Sequence, residues 1–330
     1  MTSPAEYLAD AIDSLFAQLP GVRDGDAEAI HDARVATRRI RGALPVVAPL
    51  LSSAEVEALR RTTRKAGRAL GHARDTDVAL ALVEELERRT PRIASSLAAL
   101  RCELLEQHAA ARRRLLKKID QLPWQEARAT RHNLTNRFAW RRLATAFDPG
   151  LGGKVLSALG ERAGSLEAAV AHSSGIYVAK RSHATRVAVK KLRYLLEIAG
   201  PFMPIRPRAI KLLKKTQDAL GTLHDRDVLR KRAERMDNQT PDAALPILLQ
   251  AECATLYSQY SGRRDALLAF CAELKGTTTS LSSSRRHARG AMIGAGAVAA
   301  AAWILTDRAQ TDGHAANASK SVAELKLVAR

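Results

Sequence analysis

An internal duplication constrains the fold of this chain more than any other feature of its sequence. The segment HDARVATRRIR (31–41) aligns with HATRVAVKKLR (183–193), with five of eleven residues identical. A second block, RKAGRALGHARDTDV (64–78), aligns with KKTQDALGTLHDRDV (214–228), with seven of fifteen identical. The two offsets, 152 and 150 residues, are nearly equal, and the blocks occur in the same order. The chain therefore contains two copies of one structural unit.

Both copies have the residue pattern of α-helices. Apolar side chains recur three and four residues apart, and only 4% of residues are aromatic, which suits packed helices better than a β-sandwich. The sequence predicts an all-α fold with a linker at DPGLGG (148–153) between the copies. In the first copy we expect helices at about 5–19, 27–47, 53–70, 75–90 and 92–120, and a shorter one that ends near 147. In the second we expect helices at about 154–170, 176–199 and 208–220, another capped by Asp225, and more within 241–275.

The helices of the first block each carry a stripe of cations. At about 100° per residue, His31, Arg34, Arg38 and Arg41 fall within an arc of about 80°. Apolar residues such as Ile40 fall on the opposite arc, so the polar face is almost entirely cationic. In the second copy the stripe consists of His183, Arg186, Lys190 and Arg193.

The helices of the second block repeat this pattern. In the first copy the cationic face consists of Arg61, Arg64, Lys65, Arg68 and His72. In the second copy it consists of Lys211, Lys214 and Lys215. Asp218 takes the place of Arg68 there, so we expect the first copy to bind an anion more strongly.

The net charge of +19 indicates a polyanionic partner. Like charges four residues apart destabilise a helix by about 0.2–0.5 kcal/mol per pair, yet four helices repeat this arrangement. A solvated basic surface is the alternative interpretation, and it becomes weaker because the stripes recur in both copies. A groove in which Arg and Lys neutralise a line of phosphates explains the stripes better. Binding would then release counterions and weaken steeply with salt.

The sequence offers little for catalysis or for a metal site. No paired carboxylates, HExxH, GxSxG or phosphate-binding glycine loop occurs, and the stripes would repel a cation. Asp75/Asp77 and Asp225/Asp227 could hold a metal, but we interpret them as helix N-caps and first-turn acids. We therefore predict a binding protein with no catalytic residue, metal or cofactor, and keep a phosphohydrolase as the alternative.

Nucleic acid is a weaker candidate for the specific partner. Proteins that bind single strands stack bases on aromatic side chains, and the cationic stripes contain none. Non-specific binding of nucleic acid stays open, since it needs only charge.

The repeated motifs resemble a known family. HDARVATRRIR and HATRVAVKKLRY, each followed by ALG and then D-x-D-V, are similar to the CHAD domain, the conserved-histidine α-helical domain. The resemblance covers about residues 5–275. It implies two tandem four-helix-bundle repeats (about 5–147 and 154–275) with pseudo-twofold symmetry around a basic cavity. It also implies binding of inorganic polyphosphate and association with polyphosphate granules; the alternative hydrolase would act on polyphosphate or a triphosphate.

The resemblance also implies a set of ligand residues. By position they are His31, Arg34, Arg38, Arg39 and Arg41 in the first copy, and His183, Arg186, Lys190, Lys191 and Arg193 in the second, joined by Arg64, Lys65, Lys214 and Lys215. The helical wheel adds Arg61, Arg68 and Lys211 to this set. Arg39 and Lys191 lie off the main stripes, which predicts that they face a neighbouring helix.

The ends of the chain bear on its location. Three cysteines without CxxC spacing suggest a reducing compartment, and the N-terminus does not resemble a signal peptide, so we expect a cytoplasmic protein. Residues 276–290 have the composition of a basic Ser/Thr-rich linker, and residues 306–330 that of a mostly disordered tail. Between them, residues 291–305 form an apolar run of 15, which predicts a helix. About 20 apolar residues are needed to span a membrane, so membrane tethering stays an alternative to an accessory helix.

Overall fold

The computed structural model of the protein describes residues 3–139, 149–200, 202–237 and 244–283. Every regular element in these ranges is a helix, which confirms the predicted all-α fold. The first half contains α1 (Pro4–Asp24), α2 (Ala27–Val47), α3 (Ser53–Arg89), α4 (Ala94–Asp120) and α5 (Trp124–Ala139). The second half contains α6 (Pro149–His172), α7 (Ala179–Ala199), α8 (Pro207–Asp237), α9 (Ala244–Ser261) and α10 (264–283).

Local sequence signals fix the first turns of the first three helices. The Ser3 hydroxyl accepts a hydrogen bond from the Glu6 amide at 3.2 Å, and the Glu6 carboxylate accepts one from the Ser3 amide at 2.8 Å. Ser52 and Glu55 form the same capping box at α3. Asp26 accepts hydrogen bonds from two amides in the first turn of α2, as the sequence predicts. These contacts satisfy amides that have no partner within their own helix.

Helices α3 and α8 are longer than predicted. The sequence predicts that a helix ends at Gly71 and that Asp75 caps a new one, but α3 passes through both. Likewise, α8 continues through Asp225. A glycine inside a helix costs about 1 kcal/mol, which is small beside the burial of the apolar stripe that continues along α3. That stripe consists of Ala66, Leu70, Ala73, Ala79, Leu82, Val83 and Leu86. The interpretation of the two aspartate pairs as cap and first-turn residues is therefore wrong.

Two other predicted breaks are also helical. Helix α1 passes through Pro20, with Leu19 and Val22 buried on either side of it. The predicted linker at 148–153 instead contains the start of α6, whose first residue is Pro149 and whose Leu151 is buried. Proline suits the first turn of a helix because its missing N–H would have no partner there. The linker prediction is therefore wrong for residues 149–153.

Neighbouring helices pack in the same order in both halves. Helix α1 packs against α2, α2 against α3, and α3 against α4; α6 packs against α7, α7 against α8, and α8 against α9. The helices that carry the repeated blocks, α2–α3 and α7–α8, are thus direct neighbours within each half. Helix α2 also contacts α7, so the first blocks of the two copies meet. The two four-helix bundles and their pseudo-twofold symmetry stay a prediction.

A hydrophobic cluster joins the two halves through α3, α4, α8 and α9. It consists of Ala79, Leu82, Val83, Leu86, Ile93, Leu97, Leu100, Leu104, Leu229, Ala233, Leu245 and Leu249. Arg226 of α8 links the same helices, because it is bound by Glu85 of α3 at 2.9 Å and by Glu252 of α9 at 2.7 Å. Apolar burial thus holds α3 against the second half of the chain.

The compact unit described so far ends at Thr279, and a second unit begins at Ser280. Helix α10 runs through residues 276–283, so this part of the predicted linker is helical. The rest of that linker, the apolar run 291–305 and the tail 306–330 lie outside the described residues, as do residues 140–148, where the first repeat is predicted to end. Within the described ranges, no helix combines the length and the apolar character needed to cross a bilayer.

Candidate anion-binding groove

The cationic stripes of α2 and α7 lie close enough to affect each other's protonation. Burial, the charge of Arg186 on the same helix and the charges of Arg38 and Arg34 on α2 lower the pKa of Lys190 from 10.5 to about 8. Burial likewise lowers the pKa of Arg38, with contributions from Arg34 and Arg186. Cations from the two copies therefore meet in one place. We refer to the surface formed by Arg34, Arg38, Arg41, Arg186 and Lys190 as the groove.

Arg34 and Arg186 occupy equivalent positions in the two copies but have different surroundings. Arg34 Nη1 donates a hydrogen bond to Asp75 Oδ1 at 3.0 Å. Within the described part of the chain Arg186 forms no ion pair. Burial lowers its pKa, and Asp225, the counterpart of Asp75, offsets that effect only in part. Burial also raises the pKa of Asp225.

The second repeated block positions these two arginines. A Cβ atom placed on Gly71 of α3 would lie 3.9 Å from Arg34 Nε, and one placed on Gly221 of α8 would lie 3.9 Å from Arg186 Nε. Each glycine belongs to an ALG segment of the duplication. The helix that carries the second block therefore lies directly against the guanidinium group that the first block supplies.

Three histidines lie beside the groove. Burial and the charge of Arg74 lower the pKa of His31, while burial and the charge of Arg186 lower that of His183. The ring centroid of His224 is 5.0 Å from that of His183. Burial, Arg186 and His183 together lower the pKa of His224 to about 4.

Sequence reasoning missed Arg74 and His224. They occupy equivalent positions of the second block, each directly before the shared aspartate. A basic side chain at this position in both copies is a sequence pattern that indicates them as candidate site residues. Arg162 of α6 was missed as well, and it lies outside both repeated blocks, so the duplication gives no indication of it.

A cleft of about 340 Å³ opens between α2, α6 and α7. Its cationic lining consists of Arg38, Arg41, Arg162, Lys190 and Lys191. Pockets that bind small ligands have volumes of about 300–1,000 Å³, so this part of the groove has room for an anion of several atoms. Lys191, which lies off the α7 stripe, thus faces the groove from its edge.

Besides Arg34, three other predicted arginines are bound by carboxylates. Arg39 Nε lies 3.8 Å from one carboxylate oxygen of Glu197, and Arg193 Nη1 lies 3.5 Å from the other. Arg61 of α3 forms an ion pair with Glu126 of α5 at 3.4 Å. A ligand at these residues would have to compete with a carboxylate of the protein itself.

The other predicted residues of α3 and α8 lie on exposed surfaces. Lys65 and Arg68 line a separate cleft between α3 and α4. The exposed remainder consists of Arg64, Lys211, Lys214 and Lys215. The structure therefore brings the predicted residues of α2 and α7 together, and it places those of α3 and α8 around their periphery.

The last aspartate of the second block, Asp77 in one copy and Asp227 in the other, is engaged by cations. Asp77 Oδ1 accepts a hydrogen bond from Arg112 Nη2 at 2.9 Å. Asp227 is bound by Arg230 at 3.0 Å and by Lys231 at 2.6 Å. Among the residues that the structure describes, no group of three or more His, Cys, Asp or Glu side chains is arranged to hold a metal ion.

The fold and the groove define an all-helical protein in which the basic side chains of α2 and α7 come together. The family model of the CHAD domain matches residues 6–234, so this chain belongs to the CHAD family. The match includes both blocks of the duplication on which the resemblance was based.

Solved structures share this fold. The crystal structure of the CHAD domain from the plant Ricinus communis is 24% identical, with a TM-score of 0.53, over 81% of this chain and 90% of that chain. PptA from Streptomyces chartreusis is 15% identical, with a TM-score of 0.51, over 84% of this chain and 98% of that chain. At these identities the likeness concerns the fold. No curated protein sequence matches this chain.

Proposed function

We propose that this protein binds inorganic polyphosphate in the groove and acts as a binding protein rather than an enzyme. CHAD domains are mainly binding domains associated with polyphosphate, and the chain is a member of that family. The observation that carries the proposal is the convergence of Arg38, Arg186 and Lys190 from both copies. Within the described residues none of these three side chains is bound by a carboxylate, so their charges are left for a ligand.

An anion in the groove would offset two unfavourable contributions to the free energy of the protein, the desolvation of the cations and their mutual repulsion. Burial takes the cations partly out of water, and each cation also repels its neighbours. A hydrogen bond to a charged group contributes about 1.5–3 kcal/mol, and phosphate oxygens suit the Arg fork. Because polyphosphate carries a negative charge on every phosphate, a linear chain can contact the cations of both copies in succession.

The test compares two variants with the same change in net charge. The groove variant replaces Arg34, Arg38, Arg186 and Lys190 with Gln. The control variant replaces Arg23, Arg60, Arg101 and Arg206 with Gln, because these surface arginines are all bound by acids elsewhere. In titrations with long-chain polyphosphate we expect the groove variant to lose affinity by on the order of 1,000-fold or more, since several charged contacts are removed together. The control variant should bind nearly as well as the wild type.

Other outcomes would change the proposal. Equal losses in the two variants would show that only net charge matters, which contradicts a defined groove. Affinity for polyphosphate no higher than that for heparin or random DNA at the same salt concentration would reduce the protein to a general polyanion binder. Metal-dependent phosphate release that Asp75→Asn or Asp225→Asn abolishes would show that it is a phosphohydrolase. Circular dichroism checks that each variant remains folded.

We also propose that the protein resides at polyphosphate granules in the cytoplasm. This location follows from the binding proposal, because granules present the ligand at high local density. A fluorescent fusion should concentrate at granules, and the groove variant should be dispersed. If the fusion protein instead localises to the membrane, and deletion of residues 291–305 abolishes that localisation, the result would support tethering by that segment.

A further inference from the structure

A second basic surface lies between α3 and α4. It is a cleft of about 800 Å³, and Ala111, Leu115 and Leu122 form part of its apolar lining. We call it the α3–α4 cleft. Its charged lining consists of Lys65 and Arg68 of α3, Arg114 and Lys118 of α4, Arg232 of α8, and one carboxylate, Asp75. Among the residues that the structure describes, permanent cations thus outnumber carboxylates five to one in this cleft.

Four of the five cations of the α3–α4 cleft lack the ion-pair partners that other arginines of the chain have. Arg101, also on α4 but outside the cleft, is bound by Glu87, and the fifth cleft cation, Arg232, donates a hydrogen bond to Gln107. In the described ranges no ion pair is formed by four exposed cations of the cleft, Lys65, Arg68, Arg114 and Lys118. Among the described residues no ion pair offsets their mutual repulsion, and Asp75, the one carboxylate of the lining, already binds Arg34, so an external anion would offset it.

The positions of these residues place two cationic rows opposite each other. Lys65, Arg68 and His72 are three and four residues apart on α3, and Arg114 and Lys118 are four apart on α4, so each set lies on one face of its helix. Arg113 and Lys117, one residue earlier on α4, are also exposed but do not line the cleft. Only some cations of the basic segment of α4 therefore line the cleft, so its charge is distinct from the general surface charge of that helix.

Asp75 connects the α3–α4 cleft with the groove. It lines the cleft, and its carboxylate accepts the hydrogen bond from Arg34 of the groove at 3.0 Å. One partly exposed ion pair thus separates the two basic surfaces. A phosphate chain that leaves the groove beside Arg34 would pass Asp75, which lines the α3–α4 cleft together with the cations of α3 and α4.

We infer that the α3–α4 cleft is a second polyphosphate subsite, which binds the part of a long chain that extends beyond the groove past Arg34 and Asp75. The inference rests on the proposed function and adds a preference for chain length to it. A short chain such as tripolyphosphate fills the groove alone. A long chain contacts both surfaces, releases more counterions, and binds the second surface as a linked event at high effective concentration.

The experiment uses two double variants of the full chain and two ligands. Arg114→Ala with Lys118→Ala removes two cations from the cleft. Arg113→Ala with Lys117→Ala removes two exposed cations from the same helix but outside the cleft. Since alanine is a good helix former, both variants keep α4. Each variant is titrated with tripolyphosphate and with long-chain polyphosphate over a range of salt concentrations.

We expect the Arg114/Lys118 variant to lose on the order of tenfold in affinity for long-chain polyphosphate and to bind tripolyphosphate as the wild type does. The slope of log affinity against log salt for the long chain should become shallower by about 1 for each lost contact. The Arg113/Lys117 variant should match the wild type with both ligands. If the two variants bind the long chain equally well, or if the Arg114/Lys118 variant loses both ligands equally, the subsite is refuted. Failure of the wild type to bind either ligand would refute the proposed function instead, and the subsite with it.

Discussion

The two copies of the repeated unit differ in the surroundings of an arginine that occupies the same position in both, Arg34 in the first and Arg186 in the second. In the first copy Arg34 is held by Asp75 at 3.0 Å. In the second copy burial lowers the pKa of Arg186 and raises that of Asp225, and the described residues give Arg186 no ion pair. The duplication has thus kept the cation and changed its electrostatic surroundings. Arg34 and Asp75 of the first copy form an ion pair, whereas Arg186 of the second copy is partly desolvated and forms no ion pair with the described residues.

This difference argues against one expectation from the sequence. Asp218 in place of Arg68 suggests that the first copy binds an anion more strongly. Asp218 is exposed on α8, whereas the groove is built mainly from α2 and α7. The surroundings of Arg34 and Arg186 favour the opposite order, because a ligand at Arg34 competes with Asp75. The order of the two copies stays a prediction, and the following variants test it.

The largest difference is expected between Arg186→Gln and Arg34→Gln. A charged hydrogen bond contributes about 1.5–3 kcal/mol, so Arg186→Gln should weaken polyphosphate binding by roughly 30-fold. Arg34→Gln should weaken it by only about fivefold, since Asp75 already offsets the charge of Arg34. Titration calorimetry of both variants gives the ratio directly. A larger loss for Arg34→Gln would restore the order that Asp218 suggests.

The next effect concerns the pH dependence that Lys190 brings to the second copy. In the free protein its pKa is about 8, and bound phosphate would raise that pKa, so binding is linked to proton uptake. Affinity should therefore fall by about tenfold between pH 7 and pH 9. Lys190→Arg keeps the charge throughout this range and should flatten the curve. An unchanged slope in Lys190→Arg would show that Lys190 does not contact the ligand.

A smaller effect is expected from removing the competing carboxylate of the first copy. Asp75→Asn should raise affinity by up to about fivefold, because a partly exposed ion pair contributes roughly 0–1 kcal/mol. Thermal unfolding of this variant should change little for the same reason. Asp225→Asn serves as the comparison and should have less effect, since the described residues form no ion pair that it would break. Weaker binding in Asp75→Asn would mean that Asp75 orients Arg34 for the ligand.

The smallest effect comes from the histidines, of which the second copy contributes two at the groove. Burial and neighbouring cations lower the pKa of His183, and that of His224 falls to about 4. Phosphate favours the protonated rings, so binding takes up protons and affinity should rise by roughly two- to threefold from pH 7 to pH 5.5. His183→Gln and His224→Gln should reduce this rise more than His31→Gln does. If affinity rises by the same factor between pH 7 and pH 5.5 in all three variants, the rise is caused by protonation of the ligand instead.

The sequence predicts the helices of the first block and their faces well. The bounds of α2, 27–47, agree with those predicted, and its apolar face is buried at Ala33, Ile40 and Leu44. This success has a simple cause, since helical periodicity and an N-cap at Asp26 are local properties. The membership in the CHAD family was also predictable, because the duplicated blocks carry its motifs.

Properties that depend on packing could not be predicted in this way. The breaks expected at Gly71 and Pro20 do not occur, since continuous burial along α3 and α1 outweighs a local preference. Similarly, nothing near Arg61 in the sequence shows that Glu126 binds it. Arg232 reaches the α3–α4 cleft from α8, a helix that lies far away along the chain. Such contacts depend on how helices cross, which the period of one helix does not determine.

The hydrophobic cluster between α3, α4, α8 and α9 affects the rate at which an anion can associate with the groove. It includes Leu82, Leu86 and Leu249, and burial of each such side chain contributes about 1.5–3 kcal/mol. This apolar contact opposes the repulsion between the cations of the two halves, so we expect the groove to keep its width before a ligand binds. Association then requires no opening step, and its rate constant should be governed by electrostatic steering and fall as ionic strength rises. Leucines that lie outside the groove thereby influence the association rate constant of the ligand.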